Sequence, residues 1–163
     1  MSFEGVKAYF TGVGLGDRVV VQARTSATVE LAAEAIGCEP GRIAKTMSFL
    51  VGETPVLVVA AGDARVDNAK FKARFGKKAS MIPGDRVEAL VGHPPGGVCP
   101  FAVLPGVVVH LDESLLRFDF VHAAAGSHDG TVGLTIPELE AHSSHSGWVD
   151  VCTVRTGAAG EGS

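Results

Sequence analysis

From residue 44 the chain alternates as a strand does, with Lys45, Met47, Phe49 and Val51 on one face and Thr46 and Ser48 on the other. Lys45 is thus in phase with apolar neighbours. An unpaired ammonium is costly to bury, so this side chain must snorkel to solvent, find a partner or line a cavity that uses its charge. The run at 55–61 is apolar on both faces and reads as a central strand. Gly52-Glu53-Thr54 between the two runs predicts a hairpin.

Helical spacing appears elsewhere. Phe3, Val6, Phe10 and Val13 predict an opening helix that stops at Gly14-Leu15-Gly16-Asp17, and a strand follows at 18–23. Val29, Ala32, Ala33 and Ile36 form one apolar stripe, with Thr25 or Ser26 as the cap and Gly37 past the end. Asp67 or Asn68 caps a helix through Phe75 that packs Phe71 and Phe75 inward. Lys70, Arg74 and Lys77 make a basic ridge on that helix, which reads first as a solvated face. A short helix at 85–91 leads into a glycine-proline turn. Strands at 107–111 and 118–122 then flank a turn containing Asp112-Glu113-Ser114-Leu115. Thr135-Ile136-Pro137-Glu138 has the cap, early proline and third-position glutamate of a capping box, predicting a helix to about His142. Strands and helices mix without regular alternation, which favours an α+β domain with a largely antiparallel sheet.

Composition narrows the classes. A chain of 163 residues with 46% apolar and 20% charged residues fits one domain, expected at 1–155, that buries a core unaided. The glycine-, alanine- and serine-rich stretch at 156–163 is expected to be a disordered tail. The longest apolar runs fall short of a membrane span and the first residues carry no secretory pattern, so a cytoplasmic location with no membrane partner is expected. A net charge of −4 argues against nucleic-acid binding over the whole surface, so any RNA contact must be local.

Several familiar chemistries are disfavoured. Gly12-x-Gly14-x-Gly16 lacks the preceding strand and following helix that a dinucleotide fingerprint needs. Cys38, Cys99 and Cys152 are odd in number and far apart, and His142 and His145 have no third ligand at a recognisable spacing, so neither disulfides nor a metal is indicated. No Gly-x-Ser-x-Gly elbow exists. Cys99 could act as a nucleophile, although a small buried thiol is the plainer reading. Two glycine turns remain, Pro95-Gly96-Gly97-Val98-Cys99-Pro100 and Ala125-Gly126-Ser127-His128-Asp129-Gly130. Each reads as hairpin punctuation or as a backbone cradle whose amides hold a carbonyl or developing oxyanion.

Taken in order, Lys45-Thr46, Ala61-Gly62-Asp63, Val66-Asp67, Gly96-Gly97-Val98-Cys99-Pro100-Phe101, Leu111-Asp112-Glu113-Ser114-Leu115, Ala124-Ala125-Gly126-Ser127 and Leu134-Thr135 resemble the YbaK family over roughly residues 20–142. That family comprises aminoacyl-tRNA deacylase domains, including the editing insertion of bacterial prolyl-tRNA synthetases. The resemblance implies a single mixed α/β domain with a barrel-like, largely antiparallel sheet flanked by helices. It implies hydrolysis of the ester in mischarged tRNA, foremost proline tRNA carrying alanine, cysteine or 2-aminobutyrate. Lys45 falls on the essential lysine, which positions the nucleotide end of the substrate, with Thr46 beside it. Gly96, Gly97, Val98, Cys99 and Pro100 fall on the loop that holds the aminoacyl group, and Gly126, Ser127 and His128 on a second pocket loop. Water is the implied nucleophile, and no metal, cofactor or DNA partner is implied. Low overall basicity points to a prolyl-tRNA synthetase or elongation factor that delivers the tRNA.

The chain departs from the family pattern in two places. Ala102 stands where many members carry glycine, and His128-Asp129-Gly130-Thr131-Val132-Gly133 replaces the usual Asn-Ser-Ala-Ile-Glu run. Those departures sustain an alternative reading, a non-catalytic member that binds an aminoacyl-tRNA or a protein partner.

Overall fold

The computed structural model describes residues 2–22, 28–143 and 145–154. The predicted hairpin is the backbone of the fold: β2 (Ile43–Val51) pairs antiparallel with β3 (Thr54–Ala61) along its length, with Lys45 opposite Ala60 and Val51 opposite Thr54. Residues 56–61 are each no more than 4% exposed, as a run apolar on both faces requires.

Around this hairpin a seven-stranded mixed sheet assembles. It also contains β1 (Val19–Val21), β5 (Val108–Asp112), β6 (Phe120–Ala124), β7 (Gly130–Thr135) and β8 (Gly147–Val149), in the order β1-β7-β6-β2-β3-β5-β8. The pairs β1–β7, β6–β7 and β2–β3 are antiparallel, the last two with the longest registers, whereas β2–β6, β3–β5 and β5–β8 are parallel. Two short strands, β4 (Ala64–Val66) and β9 (Cys152–Val154), form a separate antiparallel ribbon.

Helices pack against the sheet. In α1 (Ser2–Gly12), Val6 and Phe10 are fully buried, and Phe10 meets Phe101 edge-on with centroids 4.9 Å apart. In α3 (Asn68–Phe75), Asp67 caps the first turn and Phe71 packs on Phe49 at 4.8 Å, so the hydrophobic face read from the sequence is the one buried. The basic ridge on α3 is partly neutralised. Lys70 donates to Asp150 at 3.0 Å and to the carbonyl of Cys152 at 3.2 Å, and Arg74 lies over the Phe75 ring. The stripe Val29, Ala32, Ala33 and Ile36 belongs to α2 (Val29–Ile36), which packs on Ile43. Its cap is Thr28, whose hydroxyl accepts from the Leu31 amide at 3.1 Å; the expected caps Thr25 and Ser26 lie outside the described residues, as does the expected tail. The helices α4 (Gly84–Val91) and α5 (Ile136–His142) complete the domain, the latter with both arms of the Thr135/Glu138 capping box. Among the described residues no helix is long and apolar enough to cross a membrane.

The turn after β5 does not join neighbouring strands. β5 lies beside β3 and β6 beside β2, so the hairpin separates them, and a 3-10 turn over Glu113–Arg117 carries the chain across. Asp112, 1% exposed, holds this crossing: one carboxylate oxygen accepts from the Ser114 amide and the other from the Val151 amide, each at 2.9 Å. Asp112→Ala strands two buried amides and is expected to cost about 2–4 kcal/mol, read as a lower urea midpoint. A midpoint matching wild type would show that water replaces the carboxylate without loss.

Candidate active site

Pairing between β2 and β6 lasts only from Ile43 opposite His122 to Ala44 opposite Ala123, and beyond that point the two strands part. The free edge of β2 is taken up further along by residues 80–82, through Leu50 N to Ser80 O at 2.9 Å and Ile82 N to Ser48 O at 3.0 Å. Between these two pairings lies a cavity of about 290 Å³. Lys45, Thr46 and Ser48 form its β2 wall, His122, Ala124 and Thr131 the wall across the gap, α2 and α4 its apolar flanks, and Pro95, Gly96 and Val98 one rim.

Lys45 also borders a second cavity of about 260 Å³, lined by Glu30, Gly62, Asp63, Ala64 and Arg65 among others. Its side chain lies at the junction of the two, with the ammonium donating to the carbonyl of Ala64. Burial lowers its pKa from the ordinary lysine value, and the nearby charge of Asp63 acts in the opposite direction. Asp63 is matched by Arg117, a guanidinium nitrogen of which stands 3.1 Å from one carboxylate oxygen. Next to Lys45, Thr46 has a buried hydroxyl with no hydrogen-bond partner among the described residues.

The two glycine turns touch. The Gly126 amide donates to the Gly97 carbonyl at 3.1 Å, and a Cβ added to Gly97 would lie 2.5 Å from the Ser127 nitrogen and 2.6 Å from the Gly126 carbonyl carbon. Only a residue without a side chain permits that approach. Gly96, in the left-handed region at φ +87, turns the chain so that it and Val98 face the cavity while Gly97, Cys99 and Pro100 are buried behind them. Ser127 secures the second turn, accepting from the Gly130 amide at 3.0 Å and donating to Asp129 at 3.1 Å. His128 is exposed next to Gly96, its Cβ 3.6 Å from where a Cβ on that glycine would sit. Ala102, at the position noted for glycine, adopts φ +53, a left-handed conformation that alanine reaches only with strain.

Of the residues singled out in the sequence, Lys45, Thr46, Gly96 and Val98 therefore line one cavity, with Gly97, Gly126 and Ser127 bracing its rim. Cys99 does not line it. The thiol is fully buried, 3.5 Å from the His93 ring, and desolvation pushes its pKa up to about 12, so it is held protonated. Sequence reasoning missed His122 and Thr131, which reach the cavity only because β6 and β7 fold against β2. His122 was read on a strand, with nothing to say what that strand would face, and Thr131 was read in the loop after the second glycine turn rather than on a strand. His142 and His145 are engaged elsewhere, with Tyr9 and with the carbonyl of Glu140, and no group of three potential metal ligands occurs among the described residues.

The fold is thus a seven-stranded mixed sheet whose strand β2 parts from β6 to leave a cavity, walled by a lysine and rimmed by paired glycine turns. The model of the aminoacyl-tRNA editing domain family matches residues 23–141, and the chain belongs to that family. It is 44% identical to the uncharacterised protein YwhH of Bacillus subtilis, over 93% of this chain and 98% of that protein. It is 32% identical to EbsC of Enterococcus faecalis, a candidate Cys-tRNA(Pro)/Cys-tRNA(Cys) deacylase, over 61% of this chain and 62% of that one. Among solved structures, a candidate trans-editing enzyme for prolyl-tRNA synthetase superposes with a TM-score of 0.83 at 28% identity, covering 93% of this chain and 97% of that chain.

Proposed function

We propose that this chain is a trans-acting deacylase that hydrolyses the ester linking a wrong amino acid to the terminal adenosine of tRNA, foremost proline tRNA carrying alanine, cysteine or 2-aminobutyrate. The observation that carries the reading is the shared cavity: Lys45 and the Gly96–Val98 rim, about fifty residues apart in the chain, line one space. Its volume of about 290 Å³ lies at the small end of ligand sites, roughly 300–1,000 Å³, which suits a small aminoacyl group. The functions named for EbsC and for the trans-editing structure agree with it.

In this reading the aminoacyl group enters the larger cavity and the ribose and phosphate of the terminal nucleotide lie toward the smaller one, where Lys45 supplies a point charge. Backbone amides on the glycine rim polarise the ester carbonyl and stabilise the oxyanion that forms on it. Water attacks, and the tRNA hydroxyl leaves. No enzyme nucleophile is needed. Cys99→Ala is accordingly expected to keep deacylation within about threefold of wild type, because a thiol pushed up to about 12 is almost wholly protonated at neutral pH. Loss of activity in that variant, with the fold intact, would return the thiol to the chemistry.

The deciding experiment offers catalytic amounts of the chain to a panel of mischarged tRNAs and measures free amino acid. Multiple-turnover release from alanyl-, cysteinyl- or 2-aminobutyryl-tRNA for proline is expected. Binding without release would establish the non-catalytic alternative.

A further inference from the structure

Beneath the glycine rim lies a buried side-chain cluster that plays no part in the chemistry above. His93 follows Gly92 at the end of α4 and is 1% exposed. One ring nitrogen, Nε2, lies 2.7 Å from the carbonyl oxygen of Phe101, and the other, Nδ1, is hydrogen-bonded to the hydroxyl of Ser2. A carbonyl can only accept, so Nε2 carries the proton, and Nδ1 accepts from Ser2. Burial lowers the pKa of the ring and so favours this neutral form at neutral pH.

The positions of these partners give the contact its meaning. His93 and Phe101 are the two ends of the segment that contains Pro95, Gly96 and Val98, so the imidazole ties its first residue to its last. The helix α1 holds the same ends from below: Ser2 bonds His93 at one, and Phe10 packs against Phe101 at the other. Ser2 also reaches the second turn, where a Cβ added to Gly126 would come within 2.8 Å of its backbone. One buried ring and one helix start thus meet both turns that form the rim.

We infer that His93 is a positioning residue, which together with Ser2 closes the 93–101 loop so that Gly96 and Val98 face the cavity in a fixed arrangement. Apart from the packing of Gly97, Cys99, Pro100 and Phe101, few backbone hydrogen bonds hold the loop among the described residues. Its inner backbone contacts are the Gly97 amide to the Pro94 carbonyl at 2.9 Å and the Gly126 amide to the Gly97 carbonyl, and it carries glycine at its centre. Without the tie, the rim backbone would sample other placements relative to Lys45, and misplacement of about 1 Å costs about 100-fold in rate. The link to catalysis rests on the deacylase reading, whereas the link to loop geometry does not.

Two measurements on the full-length chain separate these. Amide hydrogen exchange is followed at Gly97 and Gly126, with strand β3 as an internal reference, in His93→Ala, His93→Gln and Ser2→Ala. Deacylation of proline tRNA charged with alanine is measured in parallel. For His93→Ala, exchange at the two glycines is expected to rise about tenfold while β3 is unchanged, the mark of a local opening. The kcat of that variant is expected to fall about 100-fold with KM within about threefold. Glutamine, which keeps a donor and an acceptor on one side chain, should recover most of both, and Ser2→Ala should reproduce part of the exchange effect. Unaltered glycine exchange in both His93→Ala and Ser2→Ala overturns the inference, as does a rise shared equally by β3. If His93→Ala does not fold, Ser2→Ala decides alone. Should the wild-type chain release no amino acid from any mischarged tRNA, the functional reading fails while the exchange result still judges the loop.

Discussion

Lys45→Ala is expected to lower kcat/KM for deacylation by about 100- to 1000-fold, the usual cost of removing one electrostatic anchor from a site. The expectation follows from placement rather than from charge alone. The ammonium lies where two cavities adjoin and donates to the Ala64 carbonyl, so little of the fold depends on it. Loss of its aliphatic stem should cost less than about 1 kcal/mol, because a half-buried lysine packs only part of its length. The urea midpoint should therefore stay close to wild type while activity collapses. Lys45→Arg distinguishes charge from shape: the wide guanidinium keeps the charge but not the compact ammonium, and is expected to recover only a small part of the rate. A Lys45→Ala chain with undiminished kcat/KM would remove the anchor from the mechanism.

Gly97→Ala should be nearly as damaging for a different reason. The added methyl would stand 2.5 Å from one backbone atom and 2.6 Å from another, on a turn that cannot yield as a flexible side chain could. The two glycine turns must then separate, at a stability cost of about 1–3 kcal/mol, typical of forcing a methyl into a packed interior. Their separation shifts the rim amides relative to Lys45, so kcat/KM should fall about 100-fold even under conditions where the variant is fully folded. Steady-state kinetics on protein shown by urea titration to be folded provides the check. Wild-type rates would mean that contact between the turns is not what shapes the cavity.

The elements that were legible in the sequence share one property: their signals are local. The stripe of α2, the Asp67 cap of α3, the capping box at Thr135 and the alternation through Lys45 each depend on residues within a turn or two of one another. Of the strands that went unread, β4, β8 and β9 are three residues long, too short for a periodicity to show, and β7 carries Gly130 and Gly133, which interrupt its alternation. Strand order was equally hidden. Nothing near Asp112 signals that the turn after it crosses the hairpin, because the amide that completes its hydrogen bonding belongs to Val151.

By itself the sequence determined that one lysine would share a face with apolar residues, that two glycine turns lacked side chains where a cradle could form, and that their order matched an editing-domain family. It also determined a mixed, unspanning domain, since composition and period decide how much surface each element must hide. Only the tertiary structure decided that β2 and β6 part after two residue pairs, that Lys45 serves two cavities, and that Cys99 lies behind the rim while His122 faces the opening. The reason is that a cavity is a property of elements far apart in the chain. Its walls come from strands whose pairing stops, and where pairing stops is settled by packing on both faces of the sheet at once.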